Sequence, residues 1–269
     1  MPEPLLIPRR LLLAAVSGLA ATPAIARAPE VRGRIPPLPL VMLDPGHGGK
    51  DPGAVGVSGT YEKHIAFATA QELKRQLEAG GRCRVALTRS RDVFIRLPDR
   101  VDIAQRKGAV LFVSMHADAL PDHSVRGASV YTIADTASDA QTAALAVREN
   151  SVDRFGAGMG KLPPDVAHIL GSLVRQETRQ GSARVARGVV ASLRPDIGLL
   201  VNPTRHANFA VLKAADVPSI LVEMGFMSNP LDETALRKQE HRSRVAAALR
   251  RAIEAYIAGG NRAVTVTAG

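Results

Sequence analysis

Three short stretches concentrate the residues able to do chemistry. The first, Asp44-Pro45-Gly46-His47-Gly48-Gly49-Lys50-Asp51-Pro52-Gly53, sets a histidine in a loop whose glycines and prolines permit tight turns and close backbone approach. The second, Ser114-Met115-His116-Ala117-Asp118-Ala119, puts another histidine directly after an apolar run. The third, Leu221-Val222-Glu223-Met224-Gly225-Phe226, ends an apolar run on a carboxylate. Polar residues finishing apolar strands are costly unless something satisfies them. In open α/β sheets, ligands bind outside the carboxyl ends of the strands. His47, His116 and Glu223 are therefore candidates for one site. Glu62 opens the segment after the glycine-rich loop; by itself it reads as an acid complementing a helix dipole. Two histidines and one glutamate, however, make a catalytic zinc set, with the fourth corner left for water. Zinc in such a set brings the pKa of a water toward about 7 and polarises a carbonyl. A further acid nearby can act as general base and then protonate a departing nitrogen, and Glu223 is best placed for it.

Other chemistries fit these residues less well. A phosphate loop needs Gly, four residues, then Gly-Lys-Ser/Thr, but Lys50 is followed by Asp51 and position 45 is proline. No Gly-x-Ser-x-Gly nucleophile elbow surrounds the loop. The single cysteine, Cys83, excludes an internal disulfide and a cysteine-rich zinc ribbon.

The elements that must position these residues alternate along the chain. Apolar runs at 40–44, 84–88, 110–115, 128–133 and 219–223 predict strands. The run at 110–115 is almost wholly apolar, as in a strand buried on both faces. Apolar positions 65, 69, 73 and 77, closed by Gly80-Gly81, predict a helix. Further helices are expected at 138–152, 165–193 and 242–257, with an amphipathic face on Val166, Ile169, Leu170, Leu173 and Val174. Such alternation predicts one α/β domain without repeats. The 269 residues are 46% hydrophobic and 22% charged, which excludes wholesale disorder. Aromatics make up 3% and tryptophan is absent, so the core must come from Leu, Val, Ile and Ala.

The first 26 residues read as an export signal. Arg9-Arg10 precede an uncharged run of about 16 residues, too short to span a membrane, which ends in the cleavage pattern Ala24-Ile25-Ala26. Arg-Arg followed by three leucines favours the twin-arginine route, with Sec as the alternative. Removal of 1–26 takes away two arginines and one glutamate, so the net charge falls from +10 to +9 and an exported, basic protein remains. Residues 27–39 read as an Arg/Pro-rich linker and 259–269 as a flexible tail.

Taken together, several motifs resemble one family. They are Asp44-Pro45-Gly46-His47-Gly48-Gly49-x-Asp51-Pro52-Gly53-Ala54, Glu62-Lys63, Leu87-Thr88-Arg89 with Asp92, Ser114-Met115-His116-Ala117, and Pro218 through Pro230. They resemble, in order over about 40–258, the zinc-dependent N-acetylmuramoyl-L-alanine amidases, the amidase_3 family of cell-wall hydrolases. The resemblance implies a single domain with a mixed six-stranded sheet flanked by helices. It implies Zn2+ on His47, Glu62 and His116, with Glu223 as the catalytic acid/base. Asp118 stands where the family usually has Asn, a departure that should leave the metal set unchanged.

Residues 134–193 look like the helical regulatory insertion of the periplasmic division amidases. There a glutamate from the inserted helix takes the fourth metal position, and Arg148-Glu149-Asn150 matches that place. Glu149 lies four residues after Leu145 and three before Val152, so it falls on a semi-apolar helix face, where an anion needs a cationic partner. An ordinary salt bridge with an arginine is the competing reading. By the same resemblance, the 166–174 face would receive a LytM-like activator, with core packing as the alternative. Residues 27–39 leave no room for the N-terminal targeting domain of many division amidases.

The expected activity is zinc-dependent cleavage of the amide between N-acetylmuramic acid and L-alanine of the stem peptide, in cell-wall remodelling and daughter-cell separation. Peptidoglycan is the expected substrate and the periplasm the expected compartment, with no stable membrane span. A non-catalytic peptidoglycan-binding module on the same fold is the alternative, opposed by the intact residue set. A nucleic-acid binder is supported by charge alone and opposed by the export signal and the scarcity of stacking aromatics.

Overall fold

In the computed structural model the described residues are 37–155 and 170–264. The expected export signal, the expected linker up to residue 36, and residues 156–169 and 265–269 lie outside them. Six strands form one sheet: β1 (Leu40–Pro45), β2 (Arg84–Leu87), β3 (Ala109–His116), β4 (Ala128–Ile133), β5 (Leu199–Ala207) and β6 (Ser219–Glu223). Their order is β2-β1-β3-β6-β4-β5. All pairs are parallel except β4 with β6, so the sheet is mixed, as expected.

Side chains alternate across a strand, and that alternation sorts the core into two layers. Val41, Leu43, Leu111, Val113, Met115, Ile220 and Val222 face one side. There they pack under α1 (Glu62–Gly80), α4 (Leu170–Leu193) and α6 (Gln239–Val264), through residues such as Leu73, Val189 and Leu249. Met42, Phe112, Tyr131 and Leu221 face the other, against α2 (Leu97–Arg106), α3 (Ala140–Asn150) and the short 3-10 turn Ala210–Leu212. A strand buried on both faces favours apolar residues throughout, which is why β3 is apolar up to its histidine except at Ser114, whose buried hydroxyl bonds Asp44. The remaining helix, α5 (Pro230–Arg237), starts on Asn229, whose side chain accepts from the Leu231 and Asp232 N–H groups.

Four features depart from the sequence expectations, the first being α5, where no helix was expected. The strand β5 was not expected, because Pro203 and the left-handed Asn202 (φ 55°) interrupt its apolar pattern. As an edge strand it pairs with β4 alone, and an edge tolerates proline. The helix α2 is short and buries Arg100 where periodicity would expect an apolar residue. Finally, α6 runs to Val264, so residues 259–264 are helical rather than part of a loose tail. The amphipathic stretch 166–174 begins outside the described residues; α4 starts at Leu170. Among the described residues no helix is long and apolar enough to cross a membrane.

Candidate metal centre

The parallel core strands end together at one edge of the sheet, and that edge carries the candidate residues. His116 is the last residue of β3 and Glu223 the last of β6, and the two are register partners. His47 follows β1 by two residues, in the left-handed conformation (φ 58°). A non-glycine residue in that region is strained, so the surroundings must impose it. Gly48 and Asp51 exchange backbone hydrogen bonds of 2.9 and 3.1 Å, and the Arg100 Nη2 donates to the His47 carbonyl at 2.8 Å. Arg89 donates to the carbonyls of Pro45, Gly46 and Lys63, while Lys63 donates to Asp92 and to the Gly49 carbonyl. Gly46 is required by contact, and Gly53 (φ 69°) by both contact and conformation. A Cβ at Gly46 would lie 2.4 Å from the His116 ring, and one at Gly53 would lie 2.6 Å from His47 and 2.7 Å from Glu62.

Glu62, the first residue of α1, is fully buried with its carboxylate turned toward both histidines. Its Oε1 lies 3.0 Å from His116 Nδ1 and accepts from the Ala117 N–H at 2.9 Å. Its Oε2 lies 3.0 Å from His47 Nε2 and accepts from the Ala54 N–H at 2.9 Å. Glu149 approaches from α3: its Oε2 is 3.2 Å from His116 Nδ1 and 3.8 Å from His47 Nε2. One donor atom from each of His47, Glu62, His116 and Glu149 falls within 4.8 Å of the others. Among the described residues Glu149 thus faces the histidines and pairs with no arginine, while its neighbour Arg148 ion-pairs with Asp118.

This donor set suits a divalent metal. Two imidazole nitrogens and two carboxylates converge in a buried cluster, and His47 Nε2 is buried without a hydrogen-bond partner among the described residues. Two histidines with carboxylates are the donor types zinc takes in catalytic sites. The other nitrogen of His47, Nδ1, bonds Asp51 Oδ2 at 2.8 Å, the outer contact that commonly orients a metal-binding imidazole. Burial by itself would lower the His47 pKa, but the charges of Glu62 and Glu149 and the bond to Asp51 hold it well above the usual histidine range. Glu62 moves the opposite way: the histidines outweigh its burial and hold its pKa well down.

Glu223 stands beside this cluster rather than in it. Its Oε2 accepts from the Asp118 N–H at 3.0 Å, and Oε1 is buried without a partner among the described residues. Burial and the charges of Glu62, Asp118 and Glu149 raise its pKa well above the ordinary carboxylate range. A carboxyl with that affinity for protons is suited to accept one and give it back. Asp118, raised to about 7 by burial and by the same carboxylates, is likewise outside the group of four.

Of the residues that brace the site, all but Arg100 stood in the quoted motifs without a role. Asp51 orients His47, and Arg89 and Arg100 gather the carbonyls of the loop. Asp44 receives Arg100 at 2.8 Å, Thr88 at 2.6 Å and Ser114 at 2.7 Å. A run of charged residues within a glycine-rich loop was the available signal for Asp51; nothing local marked Arg100.

Residues 41–255 match the amidase_3 family, described as N-acetylmuramoyl-L-alanine amidase. The chain belongs to that family. Its reaction is hydrolysis of the amide joining N-acetylmuramic acid to L-alanine, and its substrate is peptidoglycan. The amidase is 39% identical over 222 residues to AmiA of Salmonella typhimurium, covering 81% of this chain and 75% of that one. It is 38% identical over 227 residues to AmiC of Neisseria meningitidis, covering 84% of this chain and about half, 54%, of the relative. Among solved structures, the amidase AmiC2 of Nostoc punctiforme matches with a TM-score of 0.61 at 29% identity, over 82% of this chain and 97% of that one.

Proposed function

We propose that this amidase is a zinc enzyme of the periplasm, exported by the twin-arginine route, whose helix α3 holds it inactive until a partner displaces it. The observation that carries this reading is the position of Glu149. It brings a second carboxylate to a site already furnished with His47, Glu62 and His116, and it comes from a helix in the predicted regulatory insertion. Three protein ligands leave a catalytic zinc one position for water and substrate; a fourth closes it. Bound zinc supplies a Lewis acid for the scissile carbonyl and a water acidic enough to attack near neutral pH.

The chain's own residues supply the rest. His47, Glu62 and His116 would hold the ion, Glu62 from a carboxylate already fixed by two backbone N–H groups. Glu223 Oε1 takes the proton of the attacking water and returns it to the departing nitrogen of L-alanine; the Asp118 N–H holds the other oxygen in place. Regulation would follow displacement of α3, with a LytM-like partner on the helical insertion and daughter-cell separation as the setting.

Mass spectrometry of digested sacculi, with zinc measured on the same preparation, tests the reaction. We expect free stem peptides beginning in L-alanine and about one zinc per chain. Glu149→Ala should keep the zinc and raise the basal rate. Intact sacculi after treatment with zinc-loaded Glu149→Ala, in which the proposed block is removed, would refute the catalytic reading. An unchanged basal rate in Glu149→Ala would reject autoinhibition.

A further inference from the structure

Adjacent residues on a helix diverge by about 100°, so Arg148 and Glu149 leave α3 as two prongs. Glu149 reaches His116, the last residue of β3. Arg148 reaches Asp118, two residues further on, where Nε donates to Oδ2 at 3.0 Å and Nη2 contacts the same oxygen. The other polar ties of α3 run elsewhere. Asp139 and Thr142 at its start meet Arg205 of β5, and Asn150 at its end meets the Asn208 carbonyl and the Ala210 N–H. Among the described residues, Arg148 and Glu149 are thus the two side chains of α3 that grip the site itself. Apolar hold on this helix is modest: Leu145 and Ala146 are buried, but Val147 is 71% exposed.

Electrostatics makes the Arg148 contact more than incidental. The Asp118 side chain is 6% exposed and lies among the carboxylates of Glu62, Glu149 and Glu223. Like charges in a buried cluster repel, and a buried carboxylate needs a cation. Arg148 is that cation, and it can stay on Asp118 only while α3 covers the site. Asp118 also orients Glu223 through its backbone N–H, so one residue connects the inhibitory helix to the proton-transferring carboxyl.

We propose that Arg148 is the positioning residue for Glu149: docked on Asp118, it sets α3 over the metal site, and release of this ion pair is the step that frees the fourth ligand. The inference rests on reading α3 as the inhibitory element. Hydrogen exchange of the α3 amides in full-length, chelator-treated protein tests it without any metal. Arg148→Met and Asp118→Asn should each speed exchange over 140–150 by about tenfold, as expected for a charge-assisted bond. The double variant should exchange no faster than either single one, and Arg148→Lys should keep most of the protection. With zinc restored, Arg148→Met should raise the basal rate by a similar factor. Unchanged α3 exchange in Arg148→Met overturns the proposal, as does additivity in the double variant. Equal acceleration of α1, the internal reference, also overturns it, since the effect would then be general loosening. If Glu149→Ala raises the basal rate while Arg148→Met changes nothing, the latch fails and autoinhibition stands; if neither does, autoinhibition fails first.

Discussion

Asp51 offers a test of the metal site that does not depend on turnover. Asp51→Asn keeps the side-chain volume, leaves the backbone exchange with Gly48 intact, and leaves an oxygen to accept from the Gly53 N–H, now 3.1 Å from Oδ1. What it removes is the charged acceptor 2.8 Å from His47 Nδ1. An outer carboxylate of this kind fixes the imidazole's tautomer and strengthens it as a ligand, and its loss costs metal affinity about 10- to 100-fold, or about 1.4–2.7 kcal/mol. A second effect opposes the first. In the metal-free chain Asp51 also helps to hold the His47 pKa well above its usual value, so zinc must displace a proton. Without Asp51 that proton leaves more easily, and competition weakens. At high pH, where His47 is already neutral, the full loss should appear; as pH falls, the gap between variant and parent should narrow. Competition against a chromophoric chelator across pH 6–9 measures both (roughly the range over which perturbed histidines titrate). A loss below about threefold at the alkaline end, or a gap that widens toward acid, would refute the assignment of His47 as a ligand oriented by Asp51.

Two further outcomes follow from the same geometry. Glu223→Ala should keep zinc yet slow digestion of sacculi at least about 100-fold, roughly 2.7 kcal/mol of barrier; near-normal turnover would remove Glu223 from the proton-transfer role. Arg100→Met strands the fully buried Asp44, and breaking a buried pair in this way costs about 3–5 kcal/mol, or roughly 10 °C in Tm for a domain of this size. Arg100, Thr88 and Ser114 outweigh burial and depress the Asp44 pKa, so that stabilisation is present above about pH 3.9 and is lost as pH falls through the depressed folded value. Arg100→Met should therefore unfold at a higher pH than the parent on acid titration, and coincident acid transitions followed by circular dichroism would contradict this.

Much of the architecture was legible because its signals are local. Alternation and apolar runs in five strands gave their positions to within a residue or two, and the glycine-rich loop, His116 and Glu223 announced themselves as polar residues at apolar strand ends. The sixth strand was hidden because Pro203 and Asn202 break the pattern, which only an edge position excuses. Arg100 was hidden because a buried arginine makes sense only once the carbonyls of a distant loop converge on it. Cys83, the lone thiol, is free and buried in the first core layer.

The sequence by itself determined which residues are chemically suited to a metal and a proton, and that each sits at the end of an element. Residue type and short-range periodicity are properties of the local chain, and they survive without knowledge of the fold. The motifs had named Glu62 and Glu149 alongside the two histidines and Glu223 apart from them; the tertiary structure alone decided how they meet, bringing one donor atom of each of the four within 4.8 Å of the others. It also decided that Arg148 answers Asp118 from 30 residues away. Those choices depend on strand order and on how α3 docks, which are set by burying two apolar layers on opposite faces of the sheet. No spacing along the chain encodes that arrangement.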